Sequence, residues 1–255
     1  LSLAYSIWLL PMLLALFTPE GLIGLVTLVL LEIVLGIDNI IFIAILTGYL
    51  PKKDQQRART LGLTMAMVFR IVLLMGISWL VHLTEPLFSL GPLSPSGRDL
   101  ILFAGGVFLV FKTMKEIIHK LSAPEVDEDG KVIKERKLTV PQAILQIALI
   151  DIVFSFDSIL TAVGLSSDLQ VMITAVVVSM VVMLLFAPYV SNFINKYPTI
   201  KMLALVFLVC IGGLLIIESF HFHIDKSYVY IAMGFSLIVE MLNIRLRRLH
   251  RGSSH

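Results

Sequence analysis

Two short stretches of the 255-residue chain set carboxylates among apolar side chains. LEIVLGIDNIIF holds Glu32, Asp38 and Asn39, and IDIVFSFDSILT holds Asp151, Asp157 and Ser158. Aligned without gaps, they pair Glu32 with Asp151, Gly36 with Ser155, Asp38 with Asp157 and Asn39 with Ser158. Chance likeness of two apolar helices explains the matched Ile and Val residues, but poorly explains two acids at the same spacing in each. A charged Asp at the centre of a membrane helix costs about 2.5–3.5 kcal/mol, so four acids ask for on the order of 10 kcal/mol if unpaired. Arg70, within MVFRIVLL, is the base lying deep in an apolar block. One arginine balances one or two acids, not four. Protons, a bound cation, or both in turn must meet the remainder, and cation handling is the chemistry these residues suit.

The ligands on offer are carboxylate oxygens, the Asn39 amide oxygen, the hydroxyls of Ser155 and Ser158, and backbone carbonyls. This hard, all-oxygen set suits Mn2+, Mg2+ or Ca2+. Thiolate is excluded, because the single cysteine, Cys210, sits mid-block in FLVCIGG and reads as a small buried hydrophobe. His82, His221 and His223 fall at the ends of apolar blocks and read as solvated, which leaves zinc or copper weakly supported. Glu32 and Asn39 are seven residues apart, as are Asp151 and Ser158, so each pair shares a face of a continuous helix. Asp38 lies about 120° from Glu32 on such a helix. A local break near Gly36, and at the matching Ser155, would change that angle and free carbonyls as ligands, in the manner of discontinuous transporter helices.

Only membrane helices can hold such carboxylates here. The chain is 58% hydrophobic and 15% charged, with a mean hydropathy of +0.95, where soluble domains are about 45–50% apolar and about 25% charged. A formal charge of +2 carries no polyanion-binding signature. Most soluble enzymes, disordered tails and nucleic-acid arms are thereby excluded. Seven blocks can span a bilayer, at about 22–46, 61–83, 100–118, 141–164, 170–193, 201–219 and 228–247. The apolar stretch 3–17 is short and interrupted by Pro11, so it reads as interfacial, with Trp8 and Trp79 as interfacial anchors.

Basic residues gather in alternate connectors. Lys52, Lys53, Arg57 and Arg59 follow the first span, Lys131, Lys134, Arg136 and Lys137 precede the fourth, Lys196 and Lys201 lie between the fifth and sixth, and Arg245, Arg247 and Arg248 close the seventh. The other connectors hold Arg98 and Lys226. The positive-inside rule then puts the amino terminus outside and the carboxyl terminus in the cytoplasm. The segment 119–140, with EVDEDGKVIKERK, reads as a solvated cytoplasmic loop whose Asp127, Glu128 and Asp129 face water. Residues 1–250 read as one membrane domain, and the terminal RGSSH, 251–255, as a tag remnant.

Gly105-Gly106 in the third span echoes Gly212-Gly213 in the sixth. With the paired acidic motifs, this makes 22–118 and 141–219 two copies of one three-helix unit, with 228–247 appended. Three is odd, so the second copy starts from the opposite side of the membrane, an inverted repeat of the kind that places transport sites at the repeat interface. The expected fold is all-α: a polytopic membrane protein of about seven transmembrane helices, two inverted three-helix repeats plus a seventh helix.

EIVLGIDN, DIVFSFDS, GRDLILFAGGVFLVFK and FSLIVEMLN together resemble the TerC family of integral membrane proteins, over about residues 20–248 and most nearly its short members without an appended cytoplasmic domain. The resemblance implies a fold grouped with the lysine-exporter-type superfamily and a part in manganese homeostasis, which several members play as Mn2+ exporters. It also implies that Glu32, Asp38, Asn39, Asp151, Asp157 and Ser158 occupy two signature motifs, and that Glu240 and Asn243 belong to a third in the seventh span. Manganese comes from the resemblance; the residues alone give a hard divalent cation.

Other polar residues carry two readings each. Glu218 stands near the outer end of its span, as an outer gate or a side chain snorkelling to headgroups. Glu240 either completes a cytoplasmic half-path or pairs with Arg245 or Arg247. No nucleotide-binding motif and no Ser/His or HExxH arrangement lies at depth, so the chain reads as a transporter without catalytic residues or a prosthetic group. Its partners are the transported divalent cation and the lipid bilayer, with no nucleic acid and with homo-oligomerisation left open. The leading expectation is a multi-pass secondary transporter of the inner or plasma membrane, exporting Mn2+ as its carboxylates are protonated and metallated in turn. The acid excess disfavours an exporter of amino acids or other small molecules, and a non-transporting metal sensor or scaffold is the remaining alternative.

Overall fold

The computed structural model describes residues 18–87, 94–122, 138–165, 168–222 and 224–252. These residues form helices α1 (Pro19–Leu35), α2 (Ile37–Thr47), α3 (Lys52–Met75), α4 (Ile77–His82), α5 (Gly97–Leu121), α6 (Val140–Leu165), α7 (Leu169–Lys196), α8 (Pro198–Glu218) and α9 (Ser227–Gly252). Among the described residues the only β pairing is an isolated bridge between Pro86 and Ser96. The fold is all-α. Trp8, the loop acids at 127–129 and His223 lie outside the described residues, as does the Trp79 side chain.

Among the described residues, five helices are long and apolar enough to cross a membrane: α3, α6, α7, α8 and α9. The bent pair α1 and α2 makes a sixth if it forms one broken span. The expected third span, α5, has the length, but Arg98, Asp99, Lys112, Lys115, Glu116 and Lys120 leave more than two charges in every 18-residue stretch of it. Several ends also move. Lys52, Lys53, Arg57 and Arg59 lie inside α3 rather than in a connector, because KKDQQRAR is built of good helix formers and follows Pro51 at the cap. At the other end α9 runs on to Gly252.

The chain divides into two compact units, Leu1–Glu85 with Leu138–Val190, and Pro86–Lys137 with Ser191–His255. Each takes helices from both sequence repeats. In the first unit α3 packs on α6, and both α1 and α2 also touch α6. Thr18 caps α1 by accepting from the Gly21 amide at 3.1 Å, with Pro19 in the first helical position. Gly36 then interrupts the span, and the axis turns by 40° between α1 and α2. A Cβ at Gly36 would lie 2.6 Å from Met183 Sδ and 2.9 Å from the Glu32 carbonyl, so only a bare Cα fits the bend. No such break occurs at Ser155. α6 runs unbroken there because Ser155 turns its hydroxyl one turn back, onto Asp151 Oδ2 at 3.0 Å, and leaves the backbone ladder intact.

In the second unit α5 packs along α8, and α9 lies against α8. A Cβ on Gly106 would sit 2.7 Å from the Gly212 carbonyl oxygen, and one on Gly212 would sit 3.1 Å from the Gly106 oxygen. The two backbones therefore meet at these glycines, as small residues permit. Arg98 meets Glu218, Gly106 approaches Ile216 and Gly212, and Gly212 also faces Val110, so numbers rise along α5 as they fall along α8. α5 and α8 are thus antiparallel. Ser96 and Asp99 form a capping box at the start of α5. Cys210 is exposed, not buried: it sits on an outward face of α8, where lipid and core ask for the same apolar character.

Candidate cation site

Arg70, on α3, is the centre of the first unit's polar interior and is 2% exposed. Its fork closes on Asp151 of α6, with Nε donating to Oδ2 and Nη2 donating to Oδ1, each at 3.2 Å. Nη1 donates to Glu32 Oε2 on α1. Asn39 of α2 adds a fourth helix by donating Nδ2 to Asp151 Oδ1 at 3.1 Å. Glu32 and Asp151, one from each acidic motif, therefore converge on one guanidinium, and Asn39 joins them through Asp151. Bidentate arginine–carboxylate contacts of this kind fix geometry as well as charge.

The 40° break at Gly36 falls between Glu32 and Asn39. Asp38 and Ser158 are buried on α2 and α6. The Ser158 hydroxyl donates to the Ser155 carbonyl at 3.3 Å. Asp157 follows Asp151 by six residues on α6, but its side chain lies outside the described residues. Arg59 is a second buried base on α3, eleven residues before Arg70, or about 16 Å along a helix axis. It does not share the cluster.

One atom of the cluster has no donor. Asn39 Oδ1 is buried and makes no hydrogen bond, a state that costs about 1–3 kcal/mol. It is a neutral oxygen of the type that ligates hard cations. Among the described residues, no three His, Cys, Asp or Glu side chains converge on a single metal position; the guanidinium stands between Glu32 and Asp151 instead.

The residues of the other spans fall elsewhere. Glu218 pairs with Arg98 and, at 3.6 Å, with Lys226 Nζ. Glu240 accepts from Asn243 Nδ2 at 3.5 Å, while its Oε1 is buried without a partner. Among the described residues, then, Glu240 is bonded to Asn243 and not to Arg245 or Arg247. Two groupings escaped the sequence reading. Asp99 takes three donors on Oδ2, from the Ser96 amide at 2.8 Å, the Ser96 hydroxyl at 2.7 Å and His221 Nε2 at 3.1 Å. The capping-box spacing of Ser96 and Asp99 signals the first two, whereas nothing local signals His221. Ser155 was visible as a hydroxyl, and its i, i+4 spacing from Asp151 was the clue that it serves the carboxylate.

Residues 17–255 match the integral membrane protein TerC family. The chain belongs to the TerC family. A Haemophilus influenzae protein named UPF0053 protein is 51% identical over 231 residues, which is 91% of this chain and 96% of that one. The Escherichia coli K12 inner membrane protein YgdQ is 48% identical over 226 residues, 89% of this chain and 93% of YgdQ. The E. coli K12 inner membrane protein YoaE is 47% identical over 234 residues, 91% of this chain but 44% of YoaE. No solved structure matches the chain. This TerC-family protein is an integral, multi-pass membrane protein of transporter-like character.

Proposed function

We propose that the chain is a secondary transporter that exports a divalent metal cation, Mn2+ foremost, through the carboxylate cluster of helices α1, α2 and α6. The observation that carries this reading is a charge imbalance. Glu32, Asp38 and Asp151 are buried in the first unit, and the base that meets two of them is Arg70. Glu32 and Asp151 against one guanidinium leave one negative charge at depth, which a cation or a proton would offset. Asn39 Oδ1 supplies a neutral oxygen that a cation would satisfy. The all-oxygen character favours Mn2+, Mg2+ or Ca2+ over softer metals, and the TerC resemblance favours Mn2+ among these. An amino-acid cargo fits less well, because Arg70 already spends its fork on the protein's own carboxylates.

The basic connectors support an amino terminus outside and a carboxyl terminus in the cytoplasm, and the inner membrane relatives support that membrane. Ligating carboxylates must be free of protons, so metal binding expels protons and proton–metal exchange is the coupling proposed. Purified protein in liposomes, loaded with a Mn2+-sensitive dye, tests this reading. Mn2+ flux by the wild type that vanishes in Asp151→Asn supports the reading, and a correctly inserted wild type that moves no Mn2+ removes it.

A further inference from the structure

Asp151 is saturated with donors. Two carboxylate oxygens offer about four lone-pair directions. Arg70 Nη2 at 3.2 Å and Asn39 Nδ2 at 3.1 Å fill those of Oδ1, and Arg70 Nε at 3.2 Å and Ser155 Oγ at 3.0 Å fill those of Oδ2. A metal ion cannot bind either oxygen while all four donors stay. The donors are not equivalent. Asn39 and Ser155 carry oxygens of their own, so each can turn from donating to Asp151 to ligating a cation beside it. Asn39 already holds Oδ1 buried and unpartnered. A guanidinium has five N–H donors and no acceptor atom, so it can never ligate a metal. It is the donor that must leave.

We propose that Arg70 is a resident cation that occupies Asp151 in place of the metal, and that a divalent ion reaches Asp151 by displacing its guanidinium. The inference rests on the metal reading above and adds how the emptied site closes. Contact with Glu32 runs through Nη1, whereas Asp151 is held by Nε and Nη2. The side chain can therefore release Asp151 and keep Glu32. When the metal departs, the fork returns and covers Asp151, so two bare carboxylates need never stand unpaired at membrane depth. Arg70 is in this sense a competitor that promotes metal release.

The test is Mn2+ binding by calorimetry, together with Mn2+ flux in liposomes, for full-length wild type, Arg70→Gln and Arg70→Lys. Arg70→Gln should bind at least tenfold more tightly than wild type and turn over at least tenfold more slowly, having lost the group that expels the metal. Arg70→Lys keeps the charge without the two-pronged fork, and should fall between the two. If Arg70→Gln does not fold, tighter binding by Arg70→Lys supports the proposal, and equal or weaker binding overturns it. A wild type that binds Mn2+ while the folded variants bind it no better overturns the competitor role and leaves the metal reading standing. Absence of binding by every variant, wild type included, overturns both.

Discussion

Arg70 and Arg98 each join helices through carboxylates, and the balance of charge around them is opposite. At Arg70 two carboxylates share one guanidinium, with all three side chains almost wholly buried. At Arg98 two cations, Arg98 and Lys226, share one carboxylate, Glu218, and the Arg98 and Glu218 side chains keep 15% and 13% of their exposure. The first arrangement is short of positive charge where water is scarce. The second has enough, and ties the start of α5 to the end of α8 and the start of α9. A deficit of positive charge at depth marks a place for a mobile cation, whereas a satisfied cluster at helix ends marks a fastening.

That contrast can be broken or sharpened by substitution. The largest effect should come from Asp38→Asn and Asp157→Asn, each of which should abolish protection of manganese-stressed cells while protein abundance stays constant. Shape is kept and charge removed, so packing is not the variable. Equal protection by both variants at equal expression would favour a scaffold. Next, Arg70→Ala should cost about 3–5 kcal/mol in unfolding of the metal-free protein, since it strands two buried carboxylates. Thermal unfolding in detergent measures it, and added Mn2+ should restore part of the loss, because a ligand that binds only the folded state stabilises it.

Gly106→Ala should cost about 1–3 kcal/mol by forcing α5 from α8, and leave Mn2+ flux per folded molecule unchanged. A fall in flux without a fall in stability would move the second unit into the transport machinery. Acidifying the medium should reduce Mn2+ flux, because a protonated carboxylate is not a ligand. Flux clamped against pH in liposomes, with internal pH followed together, decides this; indifference to pH with no countermoving protons leaves uniport or another coupling ion. The smallest effect should be that of Glu218→Gln, about 0–1 kcal/mol for a pair at a helix end, with protection retained.

Legibility from sequence followed how few explanations a residue admits. Glu32, Asp151 and Arg70 stood out because charge in a long apolar run needs a partner or a function, and the helices they sit on were visible from the same runs. Gly36 and Ser155 looked equivalent by alignment, yet only Gly36 breaks its helix. The difference lies in two distant groups, Met183 filling the space at Gly36 and the Asp151 carboxylate one turn behind Ser155. Asn39 reaches Asp151 across 112 residues of sequence, which no local pattern reports. Cys210 was misplaced for a different reason: a membrane helix is apolar on the face that meets lipid and on the face that meets protein. Its environment could not be read from its neighbours. α5 is the converse case, where length and apolar centre suggested a span and six charges, two at its start and four in its last ten residues, set it apart.

Anomalous diffraction from crystals grown with Mn2+ tests the central claim most directly. The account predicts a metal peak beside Asp151 and Asn39 Oδ1, between the helices that carry the two acidic motifs, with the Arg70 guanidinium withdrawn from Asp151. A well-diffracting crystal whose Mn2+ peaks lie only elsewhere, or in which Arg70 keeps both bonds to Asp151 at full metal occupancy, would contradict it.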